Sequence, residues 1–305
     1  MEKVAVLMST YNGEQFLREQ LDSILDQENV DLNLYVRDDG SNDHTIDILS
    51  EYADKHSNVH FYRGDKNLGA CGSFLELLSK EYDADYFALA DQDDIWDKDK
   101  ISVAIEKLKT LPADKPALYH SNLRIVDQDG KYVRESHSKP LVAGAKYSFL
   151  ADVFVTGCTA VFNKKLQEIA VRVKPEHFSM HDTWLYTVVS MFGNCIYDFD
   201  SHISYRQHSA NVIGTSKKKI SAARIKREIS RYFNRDLQPR LLNAKELLVQ
   251  FDGDMDTETR KKVEKVANYK KSIPSTISLA LDKDLRSENA YRALRFSIKA
   301  LLRNI

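Results

Sequence analysis

Residues 86–94, YFALADQDD, place an uncharged run directly before three carboxylates. Tyr86 to Ala90 has the composition of a buried strand, and Asp91, Asp93 and Asp94 follow within four residues. Carboxylates this close raise one another's pKa unless a cation or hydrogen-bond donors compensate their charge. The stretch therefore predicts a strand that ends at a polar site.

Three earlier segments repeat this arrangement of an apolar run followed by a polar loop. The runs begin near Val4, Leu32, Val59 and Tyr86, about 27 residues apart, the length of one strand plus one crossover helix. The loops that follow read STYNG, RDDGSND, RGDKNLGACGS and DQDD. Right-handed crossovers give a mostly parallel sheet with helices on both faces, and ligands bind at the carboxyl ends of its strands. We therefore predict an α/β, Rossmann-like fold whose four loops line one crevice.

Less regular sequence follows the fourth strand. ALYHSNLRIVDQDGKYV (117–133) predicts a hairpin with its turn at QDG, and VFVTGCTAVFN (153–163) predicts a strand pair. HDTWLYTVVSMFG (181–193) predicts a short helix opened by Asp182. CIYDFDSHISYRQH (195–208) predicts a strand that returns to the sheet. We expect these segments to extend the same domain.

The balance of charge changes sign along the chain. Residues 216–305 contain 22 Lys and Arg against 11 Asp and Glu, whereas residues 1–215 contain 22 against 34. The hydrophobic pattern also becomes helical beyond residue 215. We therefore predict two parts, an α/β domain over residues 1–215 and a basic α-helical region over residues 216–305.

Composition excludes several classes of protein. Cys71, Cys158 and Cys195 form no CxxC pair, so neither a disulfide framework nor a zinc site is indicated. Reduced thiols in a cytoplasmic protein are expected instead. No apolar run approaches the ~20 residues that span a bilayer. The first strand-like run begins at Val4, and we expect no signal peptide.

The DQDD segment has two interpretations. As a turn, it would lead into a helix capped by Asp97 or Asp99. A calcium EF-hand is excluded, because a count from Asp91 puts Trp96 where that loop needs glycine. As a metal site, Asp91 and Asp93 would hold a divalent cation completed by phosphate oxygens, the usual coordination of Mg²⁺. The position at a strand end in an acidic crevice favours the metal site.

The remaining polar segments carry weaker signals. Asp38 and Asp39 in RDDGSND either accept hydrogen bonds from a nucleoside or form an Asx turn. NLGACGS is only loosely similar to a Gly-rich phosphate loop. Asp182 is either a helix cap or a general base, and a base at a helix N-terminus needs desolvation to work near neutral pH. Arg206 and His208 could contact phosphate or metal, although a surface histidine commonly does neither.

In their order along the chain, these motifs resemble family 2 glycosyltransferases of the GT-A fold. Within that family they are similar to bacterial rhamnosyltransferases of cell-wall polysaccharide and O-antigen synthesis. The resemblance covers residues 1–215, and the segments that carry it are STYNGEQFLREQLDSILDQ, VRDDGSNDHT, NLGACGSF, ADQDDIW, GCTAVFN, HDTWL and YRQHSANVIG. ADQDDIW followed by HDTW is its most specific part.

The resemblance implies a role for each matching residue. The nucleotide-sugar donor would be held by Thr10, Tyr11, Asn12, Asp38, Asp39, Asn67, Gly69 and Arg206. Mg²⁺ or Mn²⁺ would be held against the diphosphate by Asp91 and Asp93 as the DXD motif, with His208. The acceptor would be bordered by Gly157, Cys158, Thr159, His181 and Trp184. Asp182 would be the catalytic base of an inverting enzyme.

The implied activity is metal-dependent transfer of a sugar, L-rhamnose from dTDP-β-L-rhamnose, to a saccharide or lipid-linked acceptor. Other donors (UDP-Gal, UDP-GlcNAc or UDP-Glc) and a non-catalytic sugar-nucleotide binding subunit stay open as alternatives. A Mg²⁺-dependent phosphotransferase or phosphatase would leave HDTW without a role. The chain lacks the QxxRW motif of processive members, which favours the addition of one or few sugars.

The basic region contains two amphipathic stretches, residues 217–235 and 288–305. In the second, the apolar stripe is Tyr291, Leu294, Ile298, Leu301, Leu302 and Ile305, and the basic positions are Arg292, Arg295, Lys299 and Arg303. Such helices either lie on an anionic membrane, as a peripheral protein on the inner face of the plasma membrane, or pack on protein, including the second copy of a homodimer. No recognised nucleic-acid-binding motif accompanies the charge, so nucleic acid is not an expected partner.

Overall fold

The computed structural model describes residues 1–141, 144–178, 180–208, 239–287 and 289–305. Its chain separates into two compact units. Of the described residues, the first contains 1–141, 155–174 and 180–208, and the second contains 144–154, 175–178 and the C-terminal helices. The predicted boundary near residue 215 and the stretch 217–235 lie outside the described residues, so the two-part division stays a prediction.

The first unit begins with four strands joined by helices, as the repeated pattern predicts. The elements are β1 (Glu2–Thr10), α1 (Leu17–Leu25), β2 (Val30–Asp38), α2 (Thr45–Lys55), β3 (Val59–Arg63), α3 (Gly69–Leu78) and β4 (Tyr86–Ala90). The strands are parallel and lie in the order β3-β2-β1-β4. Val4 to Met8 of β1 are all buried, because helices cover both faces of the sheet.

The sheet continues with strands of both directions. These elements are β5 (Ile95–Trp96), α4 (Lys100–Leu108), β6 (Ala117–Val126), β7 (Tyr132–Glu135), β8 (Val161–Asn163), α5 (Lys164–Ala170), α6 (His181–Phe192) and β9 (Asn194–Arg206). Beyond β4 the order is β8-β6-β9-β5, with β7 paired to β6. β8 is antiparallel to both its neighbours, and β9 is parallel to β6, so the complete sheet is mixed.

Four local predictions beyond β4 can be compared with the structure, and the helix predicted over 181–193 and the strand predicted over 195–208 are confirmed as α6 and β9. The hairpin is confirmed: β6 and β7 are antiparallel, and Gly130 in their turn has a φ of 77°, the left-handed region that favours glycine. The predicted strand pair at 153–163 is wrong, because only β8 forms there. Gly157–Thr159 is a 3₁₀ turn, and the backbone N–H of Thr159 donates to Thr156 instead of to a neighbouring strand.

The described C-terminal residues form helices, which confirms the helical pattern. They are α7 (Pro239–Phe251), α8 (Thr257–Asn268), α9 (Ile273–Ala280) and α10 (Ala290–Leu301). The last three begin at side-chain caps, in which Asp256, Ser272 and Asn289 each accept a backbone N–H three residues on. Among the described residues, no helix is both long and apolar enough to cross a membrane.

Candidate active site

The parallel register brings the predicted loops to one edge of the sheet. Thr10 at the end of β1 pairs with Asp38 at the end of β2, and Asp38 pairs with Arg63 at the end of β3. Met8 pairs with Ala90, the last residue of β4. The β1 loop (residues 11–16), the β2 loop (39–44), the β3 loop (64–68) and the β4 loop (91–94) therefore start side by side.

Asp38 shapes the β2 loop from within. It is fully buried, and its Oδ1 accepts hydrogen bonds from the hydroxyl groups of Thr10, at 3.2 Å, and Ser41. Its Oδ2 accepts the backbone N–H groups of Gly40 at 3.0 Å and Ser41 at 2.9 Å. This is the Asx turn that the sequence left as the alternative to nucleoside binding.

Asp39 joins the β2 loop to the β3 loop. It is buried and paired with the guanidinium of Arg37, and it accepts the backbone N–H groups of Leu68 and Gly69, both at 2.8 Å. The amide of Asn67 donates to the backbone carbonyl of Asp39 at 3.0 Å. Gly69 has a φ of 67°, so the glycine of NLG is required by the backbone at the start of α3.

Gln92, which the sequence analysis did not single out, ties the β1 loop to the β4 loop. Its Oε1 accepts the backbone N–H of Tyr11 at 2.8 Å, and its Nε2 donates to the Tyr11 carbonyl at 3.1 Å. A Cβ atom added at Gly13 would lie 2.4 Å from that Oε1. Nearby, Asn12 has a φ of 50° and accepts the Asn42 backbone N–H at 2.9 Å. In the sequence, this role of Gln92 is indicated by its position between Asp91 and Asp93.

Two of the three predicted metal ligands meet although they are far apart in the chain. Nε2 of His208, which follows β9, lies 2.7 Å from Oδ2 of Asp93. The His208 ring also packs on Phe16, with ring centroids 4.8 Å apart. Burial, together with the charges of Asp93 and Asp182, raises the pKa of Asp91 to about 7. Carboxylates and an imidazole are suitable ligands for Mg²⁺ or Mn²⁺, and a cation would relieve the repulsion between the acids. The structure brings Asp93 and His208 into contact, whereas the ligand atom of Asp91 lies within 4.8 Å of those of Asp94 and Cys158.

Asp94 and Cys158 form a buried cluster beside Asp91. The ligand atoms of these three residues lie within 4.8 Å of one another. Asp94 accepts the thiol hydrogen of Cys158 and, at 3.2 Å, the backbone N–H of Arg206. The ammonium of Lys100 lies 3.6 Å from the centroid of the Trp96 ring, and burial lowers its pKa to about 7. Cys158, predicted on the acceptor side, is therefore part of the packing that supports the β4 loop.

Arg206 also holds the β4 loop in place. Its guanidinium is buried and donates to the backbone carbonyls of Asp93 at 3.0 Å and Gln128 at 2.8 Å. It also pairs with Glu19 and lies over the Phe16 ring, at 4.7 Å from the centroid. These contacts come from three separate segments of the chain. The guanidinium of Arg206, predicted to bind the donor, is therefore bound to protein groups in this structure.

Asp182 lies in the first turn of α6 and contacts the 3₁₀ turn. Its Oδ2 accepts the Gly157 backbone N–H at 3.2 Å, and its Oδ1 accepts that of Thr183 at 2.6 Å. Burial raises its pKa, and these hydrogen bonds oppose the rise. The prediction that Asp182 opens the helix is wrong, because the cap position is Met180 and its carbonyl accepts the first helical N–H, from Trp184.

The structure separates the predicted acceptor-side residues into two groups. His181 stacks on Phe74 at a centroid distance of 4.0 Å, and a Cβ at Gly157 would lie 2.8 Å from its Nε2, so Gly157, His181 and Asp182 meet. Thr159 and Trp184 are fully buried and donate to carbonyls within the fold, those of Thr156 at 2.8 Å and Ala170 at 3.0 Å. Only the first group borders the half-buried Asp182 carboxylate.

Comparisons with known proteins agree with this fold. Residues 5–169 match the profile of Glycosyl transferase family 2. The dTDP-rhamnosyl transferase RfbG of Shigella flexneri is 30% identical over 220 residues, which cover 68% of this chain and 74% of the relative. The structure of S. aureus TarS 1–349 with UDP-GlcNAc superposes with a TM-score of 0.60 at 17% identity, over 98% of this chain and 81% of that one.

A second solved structure shows the same architecture at low sequence identity. The mannosyltransferase PcManGT from Pyrobaculum calidifontis, in complex with GDP-Man and Mn²⁺, has a TM-score of 0.53 at 16% identity, over 99% of this chain and 86% of that one. At such identities the two solved structures establish the fold, whereas the family assignment rests on the sequence matches. The chain belongs to the family 2 glycosyltransferases and is a glycosyltransferase with the GT-A fold.

Proposed function

We propose that the protein is an inverting, metal-dependent rhamnosyltransferase that moves L-rhamnose from dTDP-β-L-rhamnose to a saccharide or lipid-linked acceptor in cell-wall polysaccharide synthesis. The observation that carries this proposal is the contact between Asp93 and His208 at the carboxyl edge of the sheet. Asp91 of the same loop is close enough to Asp182 for the charge of Asp182 to raise its pKa. The choice of rhamnose is supported by the relative that is named a dTDP-rhamnosyl transferase.

The metal would be held by Asp91, Asp93 and His208. When bound, Mg²⁺ or Mn²⁺ supplies electrostatic stabilisation of the departing nucleoside diphosphate. The protein's own part is to position these three groups, and the hydrogen bonds from Arg206 to Asp93 and Asp94 hold the β4 loop in place. A mannosyltransferase of the same fold has been solved with Mn²⁺, which supports a metal of this type.

The nucleoside would lie against the β1, β2 and β3 loops. Tyr11 is 47% exposed, so its ring is available for a base to stack on, and Gln92 holds its backbone on both sides. We retain Asp38 and Asp39 as donor-binding residues, with Thr10, Asn12, Asn67 and Gly69. Because both carboxylates accept hydrogen bonds within and between loops, their contribution includes keeping those loops in shape.

Asp182 would remove the proton of the acceptor hydroxyl. In a single in-line displacement that hydroxyl attacks the anomeric carbon, the bond to the diphosphate breaks, and the configuration inverts, so a β-linked donor gives an α-glycoside. Burial raises the pKa of Asp182, which makes the carboxylate a stronger base than an exposed aspartate. A site with Gly157 and His181 beside this carboxylate is suited to a hydroxyl acceptor.

Other functions have weaker support. Transfer from a UDP-linked sugar is the main alternative, since the S. aureus protein of this fold was solved with UDP-GlcNAc. A phosphotransferase would leave the contact between Asp182 and Gly157 without a role. A non-catalytic binding subunit would need no general base at Asp182. We place the reaction on the cytoplasmic side of the membrane, where nucleotide sugars are donors.

A panel of nucleotide sugars tests the donor assignment. With Mn²⁺ present, dTDP-β-L-rhamnose should raise the melting temperature by several degrees, because a ligand at 100 times its Kd stabilises the folded state by ~2.7 kcal/mol. dTDP-glucose separates recognition of the nucleotide from recognition of the sugar, and Mn²⁺ alone is the blank. A larger shift with UDP-GlcNAc or another UDP-sugar would replace rhamnose as the donor.

Gly13→Ala should weaken donor binding through Gln92. The new Cβ would clash with the Gln92 amide and break its two hydrogen bonds to Tyr11, so the KM for the donor should rise ~10-fold while kcat changes less. Gly253→Ala is the matched control, because an added Cβ there has no neighbour within 4 Å. If Gln92→Ala left the donor KM unchanged, the amide would have no part in donor binding.

A further inference from the structure

Helix α10 exposes a row of large apolar side chains. Tyr291, Leu294, Ile298 and Leu301 are 40–74% exposed, and Ala300 is the buried residue of this helix. Ile305, which the sequence placed in the same stripe, is only 3% exposed and belongs to the interior. Most of the side-chain surface of Tyr291, Leu294 and Leu301 is left uncovered by the described residues, so the structure favours an external partner for this row.

The neighbouring helix α9 has a second such row, which the sequence analysis did not single out. Ile273, Ile277 and Leu281 repeat every four residues and are 44–69% exposed. The two helices are in contact, since the hydroxyl of Ser297 on α10 donates to the carbonyl of Ala280 at the end of α9, at 2.7 Å. Two adjoining helices therefore each present apolar side chains to solvent.

The charges around these rows are positive. Residues 289–305 contain four basic residues and no acidic one, and α9 is preceded by Lys270 and Lys271. Glu288 directly precedes this segment in the sequence, and Arg292 is paired with Asp152. Asp282 and Asp284, which come before Glu288, are both paired with Lys262. Long basic side chains can lay their methylene stems along apolar surface while their charged ends reach phosphate groups. The pattern matches helices that lie in the plane of a membrane interface.

We propose that α9 and α10 form a docking surface for an anionic lipid bilayer. A second copy of the chain suits this surface less well, because a two-fold contact would place the basic row of α10 against itself. Anionic headgroups compensate that charge, and the acyl region accepts the apolar rows. The use of the surface to reach a lipid-linked acceptor rests on the proposed function, whereas bilayer binding itself does not.

Vesicle sedimentation of the full chain tests the surface. The protein should bind vesicles of phosphatidylcholine with phosphatidylglycerol, bind phosphatidylcholine alone more weakly, and be released by salt. Leu294→Ser with Ile298→Ser, and separately Arg295→Gln with Lys299→Gln, should each lower the partition coefficient about 10-fold or more. Val249→Ser on α7, at an 81% exposed residue, and Lys261→Gln on α8 should leave binding unchanged.

Two further measurements decide between the possible occupants. Equal binding by the Leu294→Ser/Ile298→Ser variant and the unaltered protein would overturn the proposal. So would a dimer in sedimentation equilibrium that this variant converts to monomer, because a second copy would then cover the surface. Donor-induced stabilisation, measured without lipid, should be the same in all these variants, so failure of bilayer binding and failure of the donor assignment give different results.

Discussion

Asp91→Asn or Asp93→Asn should lower the rate of sugar transfer by about 10²–10³-fold at saturating donor. Each change removes one carboxylate from the group in which Asp93 meets His208 and in which burial and charge raise the pKa of Asp91. The leaving diphosphate would then depart without full stabilisation of its developing charge. Initial rates with Mn²⁺ and with EDTA measure the effect, and full turnover in EDTA would contradict the metal assignment.

A stability measurement separates loss of metal from misfolding. The pKa of Asp91 lies above its unfolded value, so its stabilising contribution is present below about pH 4 and is lost as pH rises to about 7. Asparagine does not ionise, so Asp91→Asn avoids this loss of stability at high pH. Without metal, the variant should therefore melt no lower than the unaltered protein at about pH 8. The exposed Asp99, in the same segment, gives the control Asp99→Asn, which should keep full activity.

The proton of the Asp91 carboxyl group competes with the metal ion. Because Asp91 must lose its proton to bind a cation, Mn²⁺ should raise the melting temperature more at about pH 8 than at about pH 6. This difference should disappear in Asp91→Asn. A Mn²⁺ shift that is independent of pH in the unaltered protein would mean that Asp91 does not coordinate the ion.

The parallel half of the fold could be predicted because its pattern is local and repeated. Each run of apolar residues has a length typical of a strand, and Leu17, Leu21 and Ile24 of α1 are buried on the predicted helical face. Parallel strands place their carboxyl ends together whatever their order, so the loops could be assigned to one edge. The order of β8, β6 and β9 depends on long-range pairing that no local pattern encodes.

The hydrogen bonds that hold the candidate site in place were harder to predict than its position at the edge of the sheet. Arg206 looks like a phosphate ligand in the sequence, but its partners Glu19, Asp93 and Gln128 are brought to it by tertiary folding. Trp184 also looked like a site residue because it follows Asp182, but the indole N–H donates to the Ala170 carbonyl between two helices. Sequence proximity indicates which segment reaches a site, and the direction of each side chain depends on packing.

Asp182→Asn should lower kcat by about 10²–10⁴-fold and leave donor binding intact, because it removes a general base without touching the β4 loop. The amide keeps nearly the shape of the carboxylate and can still accept the Thr183 backbone N–H, but its NH₂ group cannot accept the Gly157 N–H. Asp47→Asn is the matched control, since Asp47 also lies in the first turn of a helix but its side chain is 78% exposed. The control should keep full activity.

The pH dependence identifies the base. Burial raises the pKa of Asp182, so kcat/KM at saturating Mn²⁺ should fall tenfold per pH unit below that raised pKa as the carboxylate is protonated. The residual activity of Asp182→Asn should lack this acidic limb. The stability of the variant at neutral pH should stay close to that of the unaltered protein, because removal of a partly desolvated charge offsets the loss of the Gly157 hydrogen bond. A loss of both activity and stability, with the acidic limb retained, would instead assign Asp182 to holding the Gly157 turn in place.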